Sequence, residues 1–139
     1  MKIMNVCDFF SSPIGLGHVT RDIAIVNNLD DISINFVTGS GAAQILKKLD
    51  YKIDDVYNPP SFIVENGILN NQTKWLWNYF QYYKECKKIS EKIIKTNNSD
   101  LIISDEDFAS LTVAQNLKIP NILITDVLET KFTKGIASF

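Results

Sequence analysis

The feature that most constrains the fold is a regular alternation of short apolar segments with amphipathic segments. Five apolar segments have the length and composition of strands: 2–10, 32–39, 54–58, 100–107 and 120–127. Apolar residues recur at helical spacing in the intervals between them: 18–29, 41–49, 69–96 and 108–118. Strands that alternate with helices predict an α/β sheet covered on both faces. Because the clearest strands are apolar runs with few polar interruptions, they indicate parallel pairing.

These patterns predict a Rossmann-like, doubly wound parallel sheet in a single domain that covers residues 1–139. Right-handed crossovers favour the strand order 3-2-1-4-5. In such sheets, ligands bind at the carboxyl ends of the strands where the winding reverses, here between the first and fourth strands. Residues 11–21 and 104–107 follow or end those two strands. We therefore expect both segments to face one crevice.

Composition narrows the class of protein. A chain of 139 residues, 45% of them hydrophobic, is long enough for one core. A net charge of -2 argues against a nucleic-acid partner. Cys7 and Cys86 form no CxxC pair and follow no secretory signal, which indicates reduced thiols in a cytoplasmic protein. No apolar run reaches the roughly 18 residues that span a bilayer, although peripheral contact with the inner face of a membrane stays open.

The segment that follows the first strand, "SSPIGLGHVTRDIAIVNNL", contains Gly15, Gly17, the only histidine, His18, and the only arginine, Arg21. A dinucleotide fingerprint would need a third glycine where Thr20 stands, and an acidic residue at the end of the second strand. Both are missing, and no GK[ST] occurs, so a P-loop is excluded. A flexible loop that opens into a helix remains, and the N-terminus of a helix can hold an anion. His18 and Arg21, three residues apart, lie on one face of its beginning.

A resemblance follows from these residues. The first strand, then "GLGHVTRDIAIVNNL" and "FVTGSGAAQIL", resembles the amino-terminal half of GT-B glycosyltransferases, in the group of the cell-wall N-acetylglucosaminyltransferase and the UDP-glycosyltransferases. The later "DLIISDEDFASLTVAQNLKIPNILI" is similar to their subsequent strand, helix and strand. The resemblance implies an acceptor-binding domain and a sugar donor, a UDP-sugar, held mainly by a carboxyl-terminal domain or separate subunit that this chain lacks. It implies no further cofactor and no metal, and the isolated chain is not expected to catalyse transfer.

The resemblance also implies roles for individual residues. His18 would be the general base that deprotonates an acceptor hydroxyl, and Asp105 would orient it, with Asp107 and then Asp126 as second and third choices. An imidazole suits this task because its ordinary pKa is about 6.5. Cell-wall-type members could instead use the histidine loop to bind an acceptor diphosphate. The remaining residues expected to contact a small-molecule or lipid-linked acceptor are Gly15, Gly17, Arg21, Ser104 and Asp107.

Structural interpretations of the same residues remain open. Arg21 could pair with Asp22 or with Asp8 and have no role in binding. Asp105 could be a helix cap, since Asp at that place commonly accepts hydrogen bonds from the first turn. Gly39 and Gly41 could mark no more than the end of a strand and the start of a helix, or they could lend backbone N–H groups to an acceptor.

The predicted helix over 69–96 opens with "WLWNYFQYY", six aromatic residues that cannot all face one side of a helix. One interpretation has one face packed on the sheet and the other against a loop or a second domain. The other is a membrane-interface contact through Trp75, Trp77 and Tyr79, helped by nearby lysines.

Two other functional classes remain. One is a Rossmann-like nucleotide-binding module, such as an oxidoreductase or a sugar-nucleotide epimerase domain, which the missing third glycine disfavours. The other is a non-catalytic interaction domain that uses the aromatic helix as its contact surface.

Overall fold

The computed structural model describes residues 6–61, 64–66 and 68–125. Its strands are β1 (Val6–Ser11), β2 (Ser33–Thr38), β3 (Ile53–Asp55), β4 (Val64–Glu65), β5 (Ile68–Leu69), β6 (Leu101–Asp105) and β7 (Asn121–Ile124). Its helices are α1 (Leu16–Val26), α2 (Ser40–Lys48), α3 (Gln72–Asn97) and α4 (Phe108–Asn116). Five strands form one parallel sheet in the order β3-β2-β1-β6-β7. The predicted α/β class and strand order are confirmed.

The sheet separates two apolar cores. On one face, Cys7, Phe9 and Phe36 pack under the helices α1 and α2, which contribute Val19 and Leu46. On the other face, the core includes Phe10, Val37, Tyr57, Ile94 of α3 and Val113 of α4. Alternate residues of β1 enter opposite cores because successive side chains of a strand point to opposite faces. Burial on both faces explains why the strands are nearly continuous apolar runs.

Several boundaries differ from those predicted. Helix α1 begins at Leu16 rather than residue 18 and ends at Val26 rather than residue 29. Strand β6 ends at Asp105 rather than residue 107, because Glu106 adopts a left-handed backbone conformation with φ of 51°. The third strand is shorter than predicted and ends at Asp55.

The segment after Pro59 and Pro60 was predicted to be a loop, and its described part contains a short antiparallel pair, β4 and β5. The predicted strand residues 2–5, together with residues 126 and 127, lie outside the described part of the chain. In the described ranges, no helix has the length and apolar character needed to cross a bilayer.

Candidate functional site

The candidate site is assembled where β1 and β6 end side by side. Ser11 and Asp105 are the last residues of these strands and are paired in register. Both side chains point to the face covered by α1, whose buried stripe consists of Val19, Asp22 and Val26. Asp22 is therefore inserted between helix and sheet, where the Ser11 hydroxyl donates a hydrogen bond to its Oδ2.

Asp105 is the centre of this cluster. It is fully buried and contacts two further side chains of α1. Arg21 Nη2 lies 2.6 Å from Asp105 Oδ1, and Arg21 Nε lies 3.3 Å from Oδ2, so the guanidinium forks onto the carboxylate. His18 Nδ1 lies 3.1 Å from Oδ1. The structure thus brings together three of the residues singled out from the sequence.

The partner of Arg21 differs from the partners suggested by the structural interpretation. Among the described residues, its ion pair is with Asp105 rather than with Asp22 or Asp8. Asp8 instead accepts hydrogen bonds from the side chains of Asn35, Asn97 and Ser99. The expectation that Arg21 helps to hold the loop agrees with this geometry, because the guanidinium joins α1 to the end of β6.

The carboxyl groups of Asp105 and Asp22 perturb one another. Burial alone would raise the pKa of Asp105, but hydrogen bonds from Asp22, Arg21 and His18 outweigh burial and hold this pKa below its ordinary value. Burial raises the pKa of Asp22 to about 8, and the hydrogen bond and charge of Asp105 act in the same direction. The two pKa values are driven apart, and Asp105 is the member of the pair that ionises more readily.

The contacts of His18 assign its tautomer. An ionised Asp105 can only accept a hydrogen bond, so the proton of a neutral imidazole belongs on Nδ1. Arg21 Nη2 lies 3.2 Å from the same nitrogen, but both groups are donors in this tautomer, so that contact is not a hydrogen bond. The Nε2 lone pair remains available, 3.9 Å from Glu106 Oε2, and the side chain is 18% exposed. An imidazole held in this way can accept a proton at Nε2.

Ser104 was expected to line the crevice, but it is buried in the interior. Because side chains alternate along a strand, Ser104 faces α4 whereas Asp105 faces α1. Ser104 is fully buried, and its hydroxyl lies 2.8 Å from that of Ser110. The hydroxyl of Ser104 is therefore engaged in the interior of the domain.

Asp107, not Asp105, caps α4. Asp107 Oδ1 accepts hydrogen bonds from the backbone N–H groups of Ala109 and Ser110 at 3.1 and 3.3 Å. Its Oδ2 accepts a hydrogen bond from the Tyr57 hydroxyl at 2.7 Å. Burial raises the pKa of Asp107 despite these bonds. The cap interpretation was wrong for Asp105, and Asp107, with both oxygens engaged, is not placed to orient His18.

A cleft of about 240 Å³ opens beside the ends of β1 and β6, on the face covered by α3 and α4. Five of its wall residues are aromatic: Tyr57, Tyr79, Tyr82, Tyr83 and Phe108. Glu106 and Asp107 supply two carboxyl groups, and no Lys or Arg lines the cleft among the residues that the structure describes. Glu106 also approaches His18, so the imidazole lies next to the cleft rather than in its wall.

The glycines expected to contact an acceptor lie at the start of α1. Gly15 is the residue before the helix, and its φ of 86° is in the left-handed region that favours glycine. Gly17 is exposed, and a Cβ atom placed there would meet no atom within 4 Å. Both therefore leave open space in front of the helix N-terminus.

The aromatic segment of α3 divides between two surfaces. Tyr82 and Tyr83 pack against the apolar core, and Trp75 stacks on Tyr79 with ring centroids 5.2 Å apart. We call Leu76, Trp77 and Phe80 the exposed patch, because their exposed fractions are 62%, 64% and 47% in that order. The patch lines an open groove of about 570 Å³. Of the three residues expected to contact a membrane, only Trp77 belongs to this patch.

Two residues of the site, Asp22 and Glu106, were not predicted from the sequence. A signal for Asp22 was present, because its spacing from Val19 and Val26 places a charged residue on the buried stripe of an amphipathic helix. Glu106 has no comparable signal, since its position depends on the left-handed turn after β6. Asp126, the third choice as partner of His18, lies outside the described residues.

Comparison with known proteins identifies the fold. No protein-family model matches the sequence, and no curated protein matches it. Among solved structures, the kitacinnamycin glycosyltransferase aligns with 86% of this chain and 30% of its own, at a TM-score of 0.63 and 12% identity. MurG from Acinetobacter baumannii aligns over 94% of this chain and 37% of its own, with a TM-score of 0.61 and 14% identity.

The carboxyl-terminal domain of a hydrogenase from Pyrococcus furiosus also aligns, over 89% of this chain and 94% of its own, with a TM-score of 0.60 and 11% identity. The chain therefore spans about a third of the length of the two glycosyltransferases and nearly all of the hydrogenase domain. The resemblance to part of the GT-B enzymes is confirmed at the level of the fold. Since one fold serves several functions, the function has to be argued from the site.

Proposed function

We propose that this chain is the acceptor-binding half of an inverting GT-B glycosyltransferase, with His18 as general base and Asp105 as its orienting carboxylate. The observation that carries the proposal is the contact of 3.1 Å between His18 Nδ1 and buried Asp105 Oδ1 at the carboxyl end of the sheet. That place, between the first strand and its neighbour β6, is where doubly wound sheets bind ligands. The wall of an aromatic cleft begins at the next residue, Glu106.

In the proposed reaction, His18 Nε2 removes the proton of an acceptor hydroxyl. The acceptor oxygen forms a bond to the anomeric carbon of the sugar, and the bond from that carbon to the nucleotide diphosphate breaks. The diphosphate leaves with the electron pair, and the configuration at the anomeric carbon inverts. Asp105 stabilises the imidazolium that forms, because it is ionised and in contact with Nδ1.

The cleft favours an uncharged, partly apolar acceptor over a diphosphate. Its described walls carry aromatic side chains and two carboxyl groups, which would repel an anionic acceptor. The Arg21 guanidinium, the natural clamp for a phosphate, is forked onto Asp105. A small-molecule acceptor therefore fits these residues better than the diphosphate binding of cell-wall-type members.

The proposal assigns the donor, a UDP-sugar, to a second domain or subunit. The two glycosyltransferases with this fold are about three times as long as the part that aligns, which leaves room in those enzymes for such a domain. His18 and the cleft would then lie at one side of an interdomain crevice.

The proposed base is tested with His18→Ala and Asp105→Asn in the assembled enzyme. We expect His18→Ala to lower kcat by about 10²- to 10⁴-fold, the usual contribution of a general base, while the Kd for the donor changes less than about twofold. Thr20→Val, an exposed change in the same helix, is the control and should leave kcat unchanged. Weaker donor binding together with normal turnover at saturation would contradict the proposal.

A separate proposal concerns the exposed patch. Three large apolar residues, Leu76, Trp77 and Phe80, are exposed together on α3, and Lys84 Nζ lies 4.5 Å from the Phe80 ring centroid. This combination of apolar and basic groups suits peripheral contact with an anionic membrane surface on the cytoplasmic side. Flotation with anionic vesicles at low salt should carry the wild-type chain and not Trp77→Ser. If the wild-type chain stays at the bottom of the gradient, the proposed membrane contact fails.

A further inference from the structure

The cluster at the end of β6 contains one acid that the proposed reaction does not use. Asp22 is fully buried, and one of its oxygens, Oδ2, accepts a hydrogen bond from Ser11. The other oxygen, Oδ1, is also buried and receives no hydrogen bond from any donor that the structure describes. A buried carboxylate oxygen without a donor is costly, so an ionised Asp22 would be unfavourable at this place.

A proton on Asp22 removes this cost. Asp22 lies beside Asp105 in the buried cluster, because its Oδ2 is held by Ser11, the residue that is paired in register with Asp105. Two buried carboxyl groups can form a hydrogen bond to each other only if one of them is protonated. Asp105 already accepts hydrogen bonds from Arg21 and His18, and both bonds favour its ionised form. The proton therefore belongs on Asp22.

We propose that Asp22 is a neutral carboxylic acid that donates a hydrogen bond to Asp105 and thereby fixes the orientation in which Asp105 accepts from His18 Nδ1. Asp22 is then a positioning residue, and the two acids together carry one negative charge. In the described part of the chain, the titratable and charged groups packed around them are His18 and Arg21 from α1 and Glu106 after β6. The value of this arrangement for catalysis rests on the proposed function, but the protonation state of Asp22 does not.

The single histidine of the chain provides a direct readout. In ¹⁵N-labelled protein, the ring nitrogens of His18 report its tautomer and its titration midpoint without interference from any other imidazole. Asp22→Asn keeps a neutral group that can donate to Asp105 and accept from Ser11. We expect this variant to shift the His18 midpoint by less than about 0.3 pH unit and to retain the Nδ1–H tautomer, because no charge is lost.

The opposite result has a clear signature. If Asp22 is ionised, Asp22→Asn removes a negative charge near the imidazole and lowers the His18 midpoint by more than about 0.5 pH unit, which would overturn the proposal. Asp105→Asn is the positive control and should lower the midpoint by about 1 unit or more. Asp22→Leu has a similar shape but no hydrogen-bond donor, and we expect it to change the chemical shift of the His18 Nδ1–H proton. An unchanged shift would mean that Asp22 only fills space.

A measurement on the wild-type chain covers the case in which a variant fails to fold. The ¹³Cγ resonance of Asp22 should have the shift of a protonated carboxyl group at pH 6, and a carboxylate shift at that pH would overturn the proposal. Neither result depends on catalysis. If His18→Ala leaves the assembled enzyme fully active, the proposed function fails while the protonation state of Asp22 still stands or falls by these spectra.

Discussion

At the scale of single residues, Asp22 makes stability depend on pH with a defined sign. Its folded pKa of about 8 lies above the ordinary value, so the folded chain holds a proton that the unfolded chain releases. This contribution to stability is complete below about pH 4 and is lost as the pH rises to about 8. Asp22→Asn lacks it, so we expect the variant to become more stable relative to wild type between pH 5 and pH 8.

Urea unfolding at both pH values measures this difference, provided that the slopes with denaturant agree. Glu91→Gln, a change at an exposed carboxylate of α3, is the control and should follow the wild-type pH profile. Parallel profiles for wild type and Asp22→Asn would show that Asp22 ionises normally in the folded chain.

Gly39 is required by a close approach between two backbones. A Cβ atom at this position would lie 1.8 Å from the carbonyl oxygen of Tyr57, which cannot move without displacing the chain after β3. We expect Gly39→Ala to cost at least about 2 kcal/mol in the free energy of unfolding. Gly41→Ala is the matched control, because its Cβ would lie 3.4 Å from a flexible end of Leu16 and should change stability by less than about 1 kcal/mol. If thermal or urea unfolding shows that Gly39→Ala and Gly41→Ala lower the free energy of unfolding equally, the close approach of the two backbones does not require Gly39.

At the scale of elements, the start of α4 is fixed to the segment after β3. Asp107 accepts two backbone hydrogen bonds from the first turn of α4 and one from the hydroxyl of Tyr57. We expect Asp107→Ala to cost about 2 to 4 kcal/mol, since it removes a cap and leaves a buried hydroxyl without its partner. Tyr57→Phe should cost about 1 to 2 kcal/mol.

The double variant decides whether the two residues act together. If the hydrogen bond of 2.7 Å stabilises the fold as described, the double variant should cost less than the sum of the single variants by about 1 kcal/mol. Additive costs would mean that the cap and the hydroxyl act independently. Both residues line the cleft, so this bond also sets the shape of one wall.

At the scale of the whole molecule, the proposed function divides the enzyme between two units. We expect the 139-residue chain to bind a UDP-sugar with a Kd no tighter than about 1 mM, because the described cleft offers aromatic and acidic groups and no cation for a diphosphate. Calorimetric titration with UDP-glucose and with NAD tests this together with the alternative class. Tight binding of NAD would favour a Rossmann-like nucleotide-binding module.

The fold was largely readable from the sequence because burial on both faces leaves a strong local pattern. The apolar strands, the helical intervals and the strand order follow from periodicity and from the handedness of crossovers. The short pair β4 and β5 was missed, since two-residue strands have no period to detect. The end of β6 was predicted two residues too late, at residue 107. The strand ends at Asp105 because the next residue, Glu106, has a left-handed backbone conformation, which the apolar and acidic composition of this segment does not indicate.

The sequence by itself determined the α/β order and the placement of His18, Arg21 and Asp105 at one edge of the sheet, because the ends of neighbouring parallel strands meet there. Only the tertiary structure decided that Asp105 faces α1 whereas Ser104 faces α4, and that Asp107 rather than Asp105 caps a helix. Whether a polar side chain faces the site or the interior depends on register and on the docked helix. A shift of one residue in a strand reverses the face, and local composition does not record that shift.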